Sequence, residues 1–177
     1  SILDTLRRLQ QADRPQTIVV VSPRILLSVQ LYEEFFAELN GKVDVATLHV
    51  HSGEVDGNST TKIAEIQCHA GVCAAANIHQ LIFTTYNSLR RINEAGIDVD
   101  TIYYDEAHNS VRRDFFKEVA AASLTAKQAY YLTATPKYRG GAISMNNTDV
   151  YGSELINVPA PELINNGSII QIGRAHV

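Results

Sequence analysis

The chain has 177 residues, 45% of them hydrophobic, and a formal net charge of −4. This length suits one domain with a full core, and the acidic balance argues against tight nonspecific binding of nucleic acid by this chain alone. Two cysteines do not make a disulfide scaffold, and no apolar run reaches about 18 residues, so we expect a reducing, cytoplasmic setting and no membrane span.

Hydrophobic periodicity predicts an alternation of helices and strands along the chain. The predicted helices cover residues 1–11, 24–39, 60–76, 86–95 and 110–122. The predicted strands cover residues 17–21, 43–50, 79–85, 101–104 and 129–133. Gly41 and Gly96 are predicted to end helices, whereas Ser59 or Thr60, and Ser110, are candidate N-terminal caps. This alternation, with short connections, predicts a parallel sheet covered by helices on both faces.

Two adjacent carboxylates, Asp105 and Glu106, follow the apolar strand predicted at 101–104. Acidic groups at the mouth of a core strand are costly unless a cation lies beside them. Magnesium is the usual cation for carboxylate oxygens, and it commonly carries a nucleotide phosphate. The pattern therefore predicts the second half of a nucleoside triphosphate site. The alternative is that both acidic residues cap the next helix.

Other polar residues follow the remaining predicted strands, where ligands of parallel sheets bind. Four segments at these strand ends resemble helicase motifs, and they occur in the expected order. The first two are Pro23-Arg24-Ile25-Leu26-Leu27-Ser28-Val29-Gln30, which is similar to motif Ia, and Phe83-Thr84-Thr85-Tyr86-Asn87-Ser88-Leu89, which is similar to the segment near motif Ib. The other two are Asp105-Glu106-Ala107-His108, similar to the Walker B or DEAH motif, and Thr133-Ala134-Thr135-Pro136, similar to motif III. From about Thr17 to Ile170 the chain thus resembles the first RecA-like motor domain of superfamily 2 DEAD/DEAH-box helicases, closest to the ResIII-type, restriction-enzyme-like group.

The resemblance implies a RecA-like P-loop NTPase fold and an ATP-dependent helicase or translocase that uses ATP and Mg2+. It implies DNA, or else RNA, as a partner, together with a second RecA-like domain of the same chain. We expect the protein to act in the cytoplasm, or in the host cytoplasm if it is viral or encoded by a phage.

Individual roles follow from the same resemblance. Asp105 is expected to hold Mg2+, and Glu106 to orient the attacking water. His108 is expected to link the nucleotide site to motif III, which comprises Thr133, Ala134 and Thr135. The residues expected to contact nucleic acid are Ser22, Pro23, Arg24, Thr84 and Thr85, since hydroxyls and arginine bind phosphates without reading sequence. For the threonines, ordinary strand propensity and turn chemistry are the alternatives.

The sequence also departs from the family pattern, because it contains no G-x-x-x-x-G-K-[ST]. The resemblance places that phosphate loop, and the first strand, upstream of Ser1. We therefore interpret residues 1–136 as a partial motor domain, residues 137–171 as an exit segment toward an absent second motor domain, and residues 172–177 as a non-native tail. On this interpretation the chain is truncated at both ends and does not hydrolyse ATP measurably by itself.

Two other functions remain open at this point. One is a nonenzymatic nucleic-acid-binding or regulatory module derived from a helicase domain. The other is a metal-dependent hydrolase that uses Asp105 and His108 with the pair His49 and His51. A zinc site is a further possibility raised by four residues whose spacing fits no strong zinc pattern: Cys68, His69, Cys73 and His79.

Overall fold

The computed structural model describes residues 2–53, 59–138 and 143–153. Its strands are β1 (Thr17–Ser22), β2 (Val45–Val50), β3 (Ser59–Thr60), β4 (His79–Thr85), β5 (Thr101–Tyr104) and β6 (Gln128–Tyr131). Its helices are α1 (Ile2–Gln11), α2 (Ile25–Leu39), α3 (Ile63–Ala76), α4 (Leu89–Ala95), α5 (Arg113–Thr125) and α6 (Thr148–Tyr151). A single 3-10 turn, Ala107–Asn109, follows β5.

One sheet contains all the described strands, in the order β3-β2-β4-β1-β5-β6. Every pairing in it is parallel, which confirms the predicted parallel sheet. The central strand β1 places Val20 opposite Phe83 on one side and Tyr103 on the other. Because all strands run the same way, the residues that follow β1, β4, β5 and β6 meet along one edge of the sheet.

Alternate side chains of β1 enter two separate cores, as expected for a strand buried on both faces. Ile18 and Val20 pack with residues of α1 and α2, including Leu9 and Phe35. Val19 and Val21 belong to the other core, to which α3, α4 and α5 contribute Ile66, Leu89 and Val119. Helices therefore cover both faces, as predicted. Within the described residues no helix combines the length and apolarity needed to cross a membrane.

The prediction that Ser59 or Thr60 caps a helix is wrong, since both residues form β3 beside His49 and Val50 of β2. The Thr60 hydroxyl instead accepts a hydrogen bond from the Lys62 backbone N–H (3.0 Å), and α3 begins only at Ile63. Because Thr60 is β-branched, it suits a strand, and pairing with the end of β2 outweighs capping here.

The prediction that Ser110 caps the helix after the acidic pair is also wrong. Its hydroxyl donates to the Ala107 carbonyl (2.6 Å) inside the 3-10 turn, and α5 begins at Arg113. The same carbonyl also accepts the Ser110 backbone N–H (2.9 Å), so the side chain of Ser110 serves this turn and not the start of α5. Strand β6 likewise ends at Tyr131 and not at Thr133.

The predicted start of a helix at Tyr86 is wrong as well, since α4 begins at Leu89. The Tyr86 backbone N–H donates to the Ser22 carbonyl (3.2 Å), which extends the sheet ladder by one residue. The helix ends predicted at Gly41 and Gly96 are confirmed, with φ of 73° and 60° that glycine adopts without strain. The tail at 172–177, and residues 139–142 and 154–171 of the exit segment, lie outside the described residues.

Candidate functional site

The turn after β5 is fixed by backbone hydrogen bonds to both neighbouring strands. Asp105 N–H donates to the Val21 carbonyl (2.8 Å) at the end of β1. On the other side, Leu132 N–H donates to the Tyr104 carbonyl (2.9 Å) and Ala107 N–H to the Leu132 carbonyl (2.8 Å). The two acidic residues therefore lie at a defined place on the carboxyl edge of the sheet.

The electrostatic environment of Asp105 is negative. Burial raises the pKa of this carboxyl group, and the nearby carboxylates of Glu106 and Glu34 raise it further, although the Glu106 backbone N–H partly offsets them. In the described part of the chain, no lysine or arginine forms a salt bridge with Asp105. A carboxylate without a lysine or arginine partner, next to a second carboxylate, suits a hard divalent cation, whose charge would stabilise both acids.

A metal held here would not be enclosed by protein ligands alone. Among the described residues, no three histidine, cysteine, aspartate or glutamate side chains come together as a metal cluster. Mg2+ often binds through one or two carboxylates and takes its remaining ligands from water and substrate phosphates. The donor set around Asp105 fits Mg2+ in that manner.

Glu106 has an unusual backbone conformation, with φ 46° and ψ 50° in the left-handed region. A non-glycine residue pays about 1–2 kcal/mol for this geometry. Two groups of Asn109 stabilise the turn, since both its backbone N–H (2.9 Å) and its side-chain amide (3.0 Å) donate to the Glu106 carbonyl. Backbone strain of this kind is common at functional sites, and here it presents a carboxylate that is 46% exposed.

One ring nitrogen of His108 contacts several of the residues predicted to serve catalysis and coupling. Its Nδ1 lies 3.1 Å from the hydroxyl of Thr133, 3.1 Å from that of Thr135 and 3.2 Å from Glu106 Oε2. The Asn109 amide nitrogen, which can only donate, lies 3.4 Å from Nε2. Nε2 therefore faces an amide donor, whereas Nδ1 faces the Glu106 carboxylate and the two hydroxyls.

The residues predicted to form motif III differ in exposure. Thr133 is half-buried, and its hydroxyl accepts a hydrogen bond from the Thr135 backbone N–H (3.1 Å), so the two residues form a compact turn. Ala134, between them, is exposed and places no polar group in the site. The structure thus brings Glu106, His108, Thr133 and Thr135 together.

The residues predicted to contact nucleic acid lie at the same edge but differ in what they expose. Ser22 and Thr84 are fully buried, and their hydroxyls donate to the carbonyls of Arg24 (3.1 Å) and Val50 (2.8 Å). Thr85 is also buried, Pro23 is half-buried and Arg24 is exposed. Of the five, Arg24 offers a charged side chain to solvent, and the nucleic-acid contact stays a prediction.

The histidines and cysteines considered for other metal sites do not form one with the described acidic residues. His49 and His51 are buried side by side, with ring centroids 5.4 Å apart, and His49 packs against Tyr32 and Phe83. Cys73 is buried with its sulfur 3.6 Å from His69 Nδ1, whereas Cys68 is exposed. No arrangement among the described residues joins either group to Asp105 and His108.

Sequence reasoning missed three contributors to the site. Asn109 orients Glu106 and His108, and Ser110 bonds the Tyr151 hydroxyl (2.8 Å) as well as its own turn. The Tyr86 hydroxyl donates to the Asp105 carbonyl (2.9 Å). Asn109 and Ser110 directly follow the acidic motif in the sequence, so their position could have indicated a role in the turn. The contact of Tyr86 with Asp105 is a tertiary contact that no local sequence pattern indicates.

The parallel sheet, the helices on both faces and the acidic turn at its carboxyl edge define a RecA-like α/β domain. Residues 2–138 match the model of the ResIII family, described as "Type III restriction enzyme, res subunit". Because this match covers more than half of the chain, the chain belongs to the ResIII family. This confirms the resemblance found in the helicase motifs.

Solved structures show the same fold. One is a nuclease-deletion mutant of the Type ISP restriction-modification enzyme LlaGI in complex with a DNA substrate mimic, with TM-score 0.75, 20% identity, and 94% of this chain matched to 17% of that one. Another is the ATP-dependent Type ISP restriction-modification enzyme LlaBIII bound to DNA, with TM-score 0.75, 18% identity, and 94% of this chain matched to 13% of that one. The chain therefore spans less than a fifth of either enzyme. No curated protein matches it in sequence.

Proposed function

We propose that this chain forms one RecA-like motor domain of an ATP-dependent nucleic-acid translocase or helicase that acts on DNA. The observation that supports the proposal is a cluster in which His108 Nδ1 contacts Glu106 Oε2 and the hydroxyls of Thr133 and Thr135. Beside this cluster lies the carboxylate of Asp105, which has no lysine or arginine partner among the described residues. This arrangement suits phosphoryl transfer, which needs positioned charges more than covalent participation by the protein.

In the proposed mechanism the chain supplies the carboxylate half of the nucleotide site. Bound Mg2+ with ATP would supply the phosphoryl group and neutralise the charge that develops on it. Asp105 would hold the cation, directly or through water, and Glu106 would orient the attacking water and accept its proton at a carboxylate oxygen. His108, through the contacts of its Nδ1, would keep the Glu106 carboxylate next to Thr133 and Thr135.

The same proposal assigns the strand-binding role to the loops that follow β1 and β4. Arg24 would bind a backbone phosphate, because its guanidinium is exposed next to the buried end of β1. Ser22, Thr84 and Thr85 would support these loops from inside, and the half-buried Pro23 would join Arg24 to the end of β1. DNA is favoured over RNA because LlaGI and LlaBIII are described with DNA.

The proposal extends to features beyond the described residues. A second RecA-like domain of the same chain would complete the nucleotide site, and residues 137–171 would lead toward it, with residues 1–136 as the first motor domain. We propose a cytoplasmic protein, or one that acts in the cytoplasm of a host cell.

One observation favours a second candidate, a nonenzymatic nucleic-acid-binding or regulatory module. The sequence has no G-x-x-x-x-G-K-[ST], the loop that would cradle the phosphates. The two candidates differ in what the complete gene product does, because a motor needs that loop in the same protein and a regulatory module does not.

ATP turnover of the complete gene product, with DNA, with RNA and with neither, tests the proposal. We expect turnover that DNA stimulates more than RNA does, while the 177-residue chain alone gives no measurable turnover. Nucleic-acid binding by the complete product without any ATP turnover would contradict the motor and support the regulatory module.

A further inference from the structure

We propose that Tyr86 is a positioning residue that fixes the Asp105–Glu106 peptide and thereby places the Glu106 carboxylate. Its link to ATP hydrolysis rests on the proposed function, whereas the positioning itself rests on the geometry of the turn. Tyr86 lies between β4 and α4, and it is not part of the acidic motif Asp105-Glu106-Ala107-His108.

Four contacts fix the Tyr86 side chain and its backbone. The phenol oxygen donates to the Asp105 carbonyl at 2.9 Å, and the backbone N–H donates to the Ser22 carbonyl at 3.2 Å. The ring stacks on Phe115, with centroids 5.5 Å apart at 24°, and on Tyr104, with centroids 6.2 Å apart at 23°. Tyr86 is 2% exposed, so the surrounding side chains restrict the position of its hydroxyl.

The carbonyl that Tyr86 binds controls the conformation of Glu106. The Asp105 C=O and the Glu106 N–H belong to one rigid peptide plane, so its rotation changes the φ of Glu106 directly. That φ is 46°, a value that glutamate adopts only when its surroundings impose it. Asp105 N–H is bound to the Val21 carbonyl (2.8 Å), and the Tyr86 hydroxyl fixes the next plane along the chain.

Loss of this hydroxyl would free the peptide plane to rotate. Glu106 would then return to a negative φ, and its carboxylate would leave the 3.2 Å contact with His108 Nδ1. Burial raises the pKa of the Tyr86 phenol far above its ordinary value, so the donor proton is present at neutral pH. No other described side chain donates to the Asp105 carbonyl in its place.

Tyr86→Phe removes the hydroxyl and keeps the ring, and Tyr103→Phe is its matched control. The Tyr103 hydroxyl donates to Asp4 Oδ2 (2.7 Å), and its ring belongs to the core on the other face of the sheet. Amide hydrogen exchange of the purified chain reports on the turn through the N–H groups of Asp105, Ala107 and Asn109, all of which are hydrogen-bonded. We expect Tyr86→Phe to accelerate their exchange about tenfold and Tyr103→Phe to leave it unchanged.

Equal exchange at these three amides in the two variants would overturn the assignment. Glu106→Gly provides a second background, since glycine adopts the positive φ without support. Adding Tyr86→Phe to Glu106→Gly should change the exchange rates by less than about twofold. If Tyr86→Phe accelerates amide exchange equally in both backgrounds, the assignment is also overturned. The glycine background keeps the test available if Tyr86→Phe alone does not fold.

The effect on chemistry is measured in the complete gene product. We expect Tyr86→Phe to lower kcat for ATP about tenfold with KM unchanged, because only the placement of the carboxylate is disturbed. Tyr103→Phe should match it in thermal stability but retain kcat, and an equal loss of kcat in both variants would overturn the catalytic role. If the unsubstituted product shows no turnover, the proposed function fails, while the exchange rates still decide whether Tyr86 fixes the turn.

Discussion

His108 and Thr133 meet at 3.1 Å between Nδ1 and Oγ1, although they are 25 positions apart in the sequence. The contact joins the turn after β5 to the segment after β6, two neighbouring strands at the carboxyl edge of the sheet. The same Nδ1 lies 3.2 Å from Glu106 Oε2, so one imidazole ring contacts both the segment after β6 and the proposed catalytic carboxylate.

This contact predicts energetic coupling between the two residues. In a double-mutant cycle with His108→Ala and Thr133→Val, we expect the free energies of unfolding to be non-additive by about 0.5–1.5 kcal/mol, as for one partly buried hydrogen bond. Urea unfolding of the purified chain measures the cycle. The matched control pairs His108→Ala with Thr125→Val, whose hydroxyl bonds only carbonyls of its own helix. Coupling as large in the control as in the test pair would contradict the contact.

The backbone of Glu106 gives a second prediction. Because its φ is 46°, we expect Glu106→Gly to be more stable than Glu106→Ala by about 1 kcal/mol, even though glycine is the more flexible residue when unfolded. Thermal unfolding of the two variants measures the difference, and both lack the carboxylate, so charge does not enter the comparison. Greater stability of the alanine variant would show that Glu106 does not adopt the left-handed conformation in solution.

Buried histidine at the end of β2 predicts a loss of stability in mild acid. Burial, with a smaller contribution from neighbouring His51, lowers the pKa of His49 to about 4. The unfolded chain, with an ordinary histidine pKa of about 6.5, therefore binds more protons than the folded protein between these two values. Stability should fall as pH drops from about 6.5 to about 4, by on the order of 3 kcal/mol from this group.

Urea unfolding at pH 7.5 and pH 4.5 checks this prediction in the wild type and in His49→Leu. Leucine has a similar volume and does not titrate, so the variant should lose about 2–3 kcal/mol less on acidification than the wild type does. His51 titrates in the same direction and accounts for part of the remaining loss, since burial also lowers its pKa. An identical pH dependence in the two proteins would contradict the burial of His49.

Periodicity was sufficient to predict the sheet and its helices, because strands such as β1 and β4 are apolar runs that only a doubly covered parallel sheet accommodates. It missed β3, a strand of two residues whose partner, β2, lies earlier in the chain and whose pairing no local pattern reports. It also placed caps at Thr60 and Ser110, where hydroxyl groups serve turns instead of helix ends.

Residues of the site that are close in sequence were predicted, whereas features that depend on tertiary contacts were not. The motif residues Asp105, Glu106 and His108 are adjacent in sequence, so their proximity needed no fold. The φ of Glu106 and the hydrogen bond from Tyr86 depend on how β4 and β5 pack across β1, and neither is visible in a sequence pattern. The hydroxyls of Ser22 and Thr84 were predicted to face a ligand. They donate to backbone carbonyls instead, because both strand ends are buried.

The most direct test of the account is the Glu106→Gln variant of the complete gene product. Glutamine keeps the size of the side chain but cannot accept the proton of the attacking water, so we expect ATP binding to be retained and DNA-stimulated turnover to fall about 10²–10³-fold. Glu33→Gln, an exposed glutamate of α2, is the control and should turn over ATP at the wild-type rate. Wild-type turnover in Glu106→Gln would contradict the central claim that this turn carries the catalytic carboxylate.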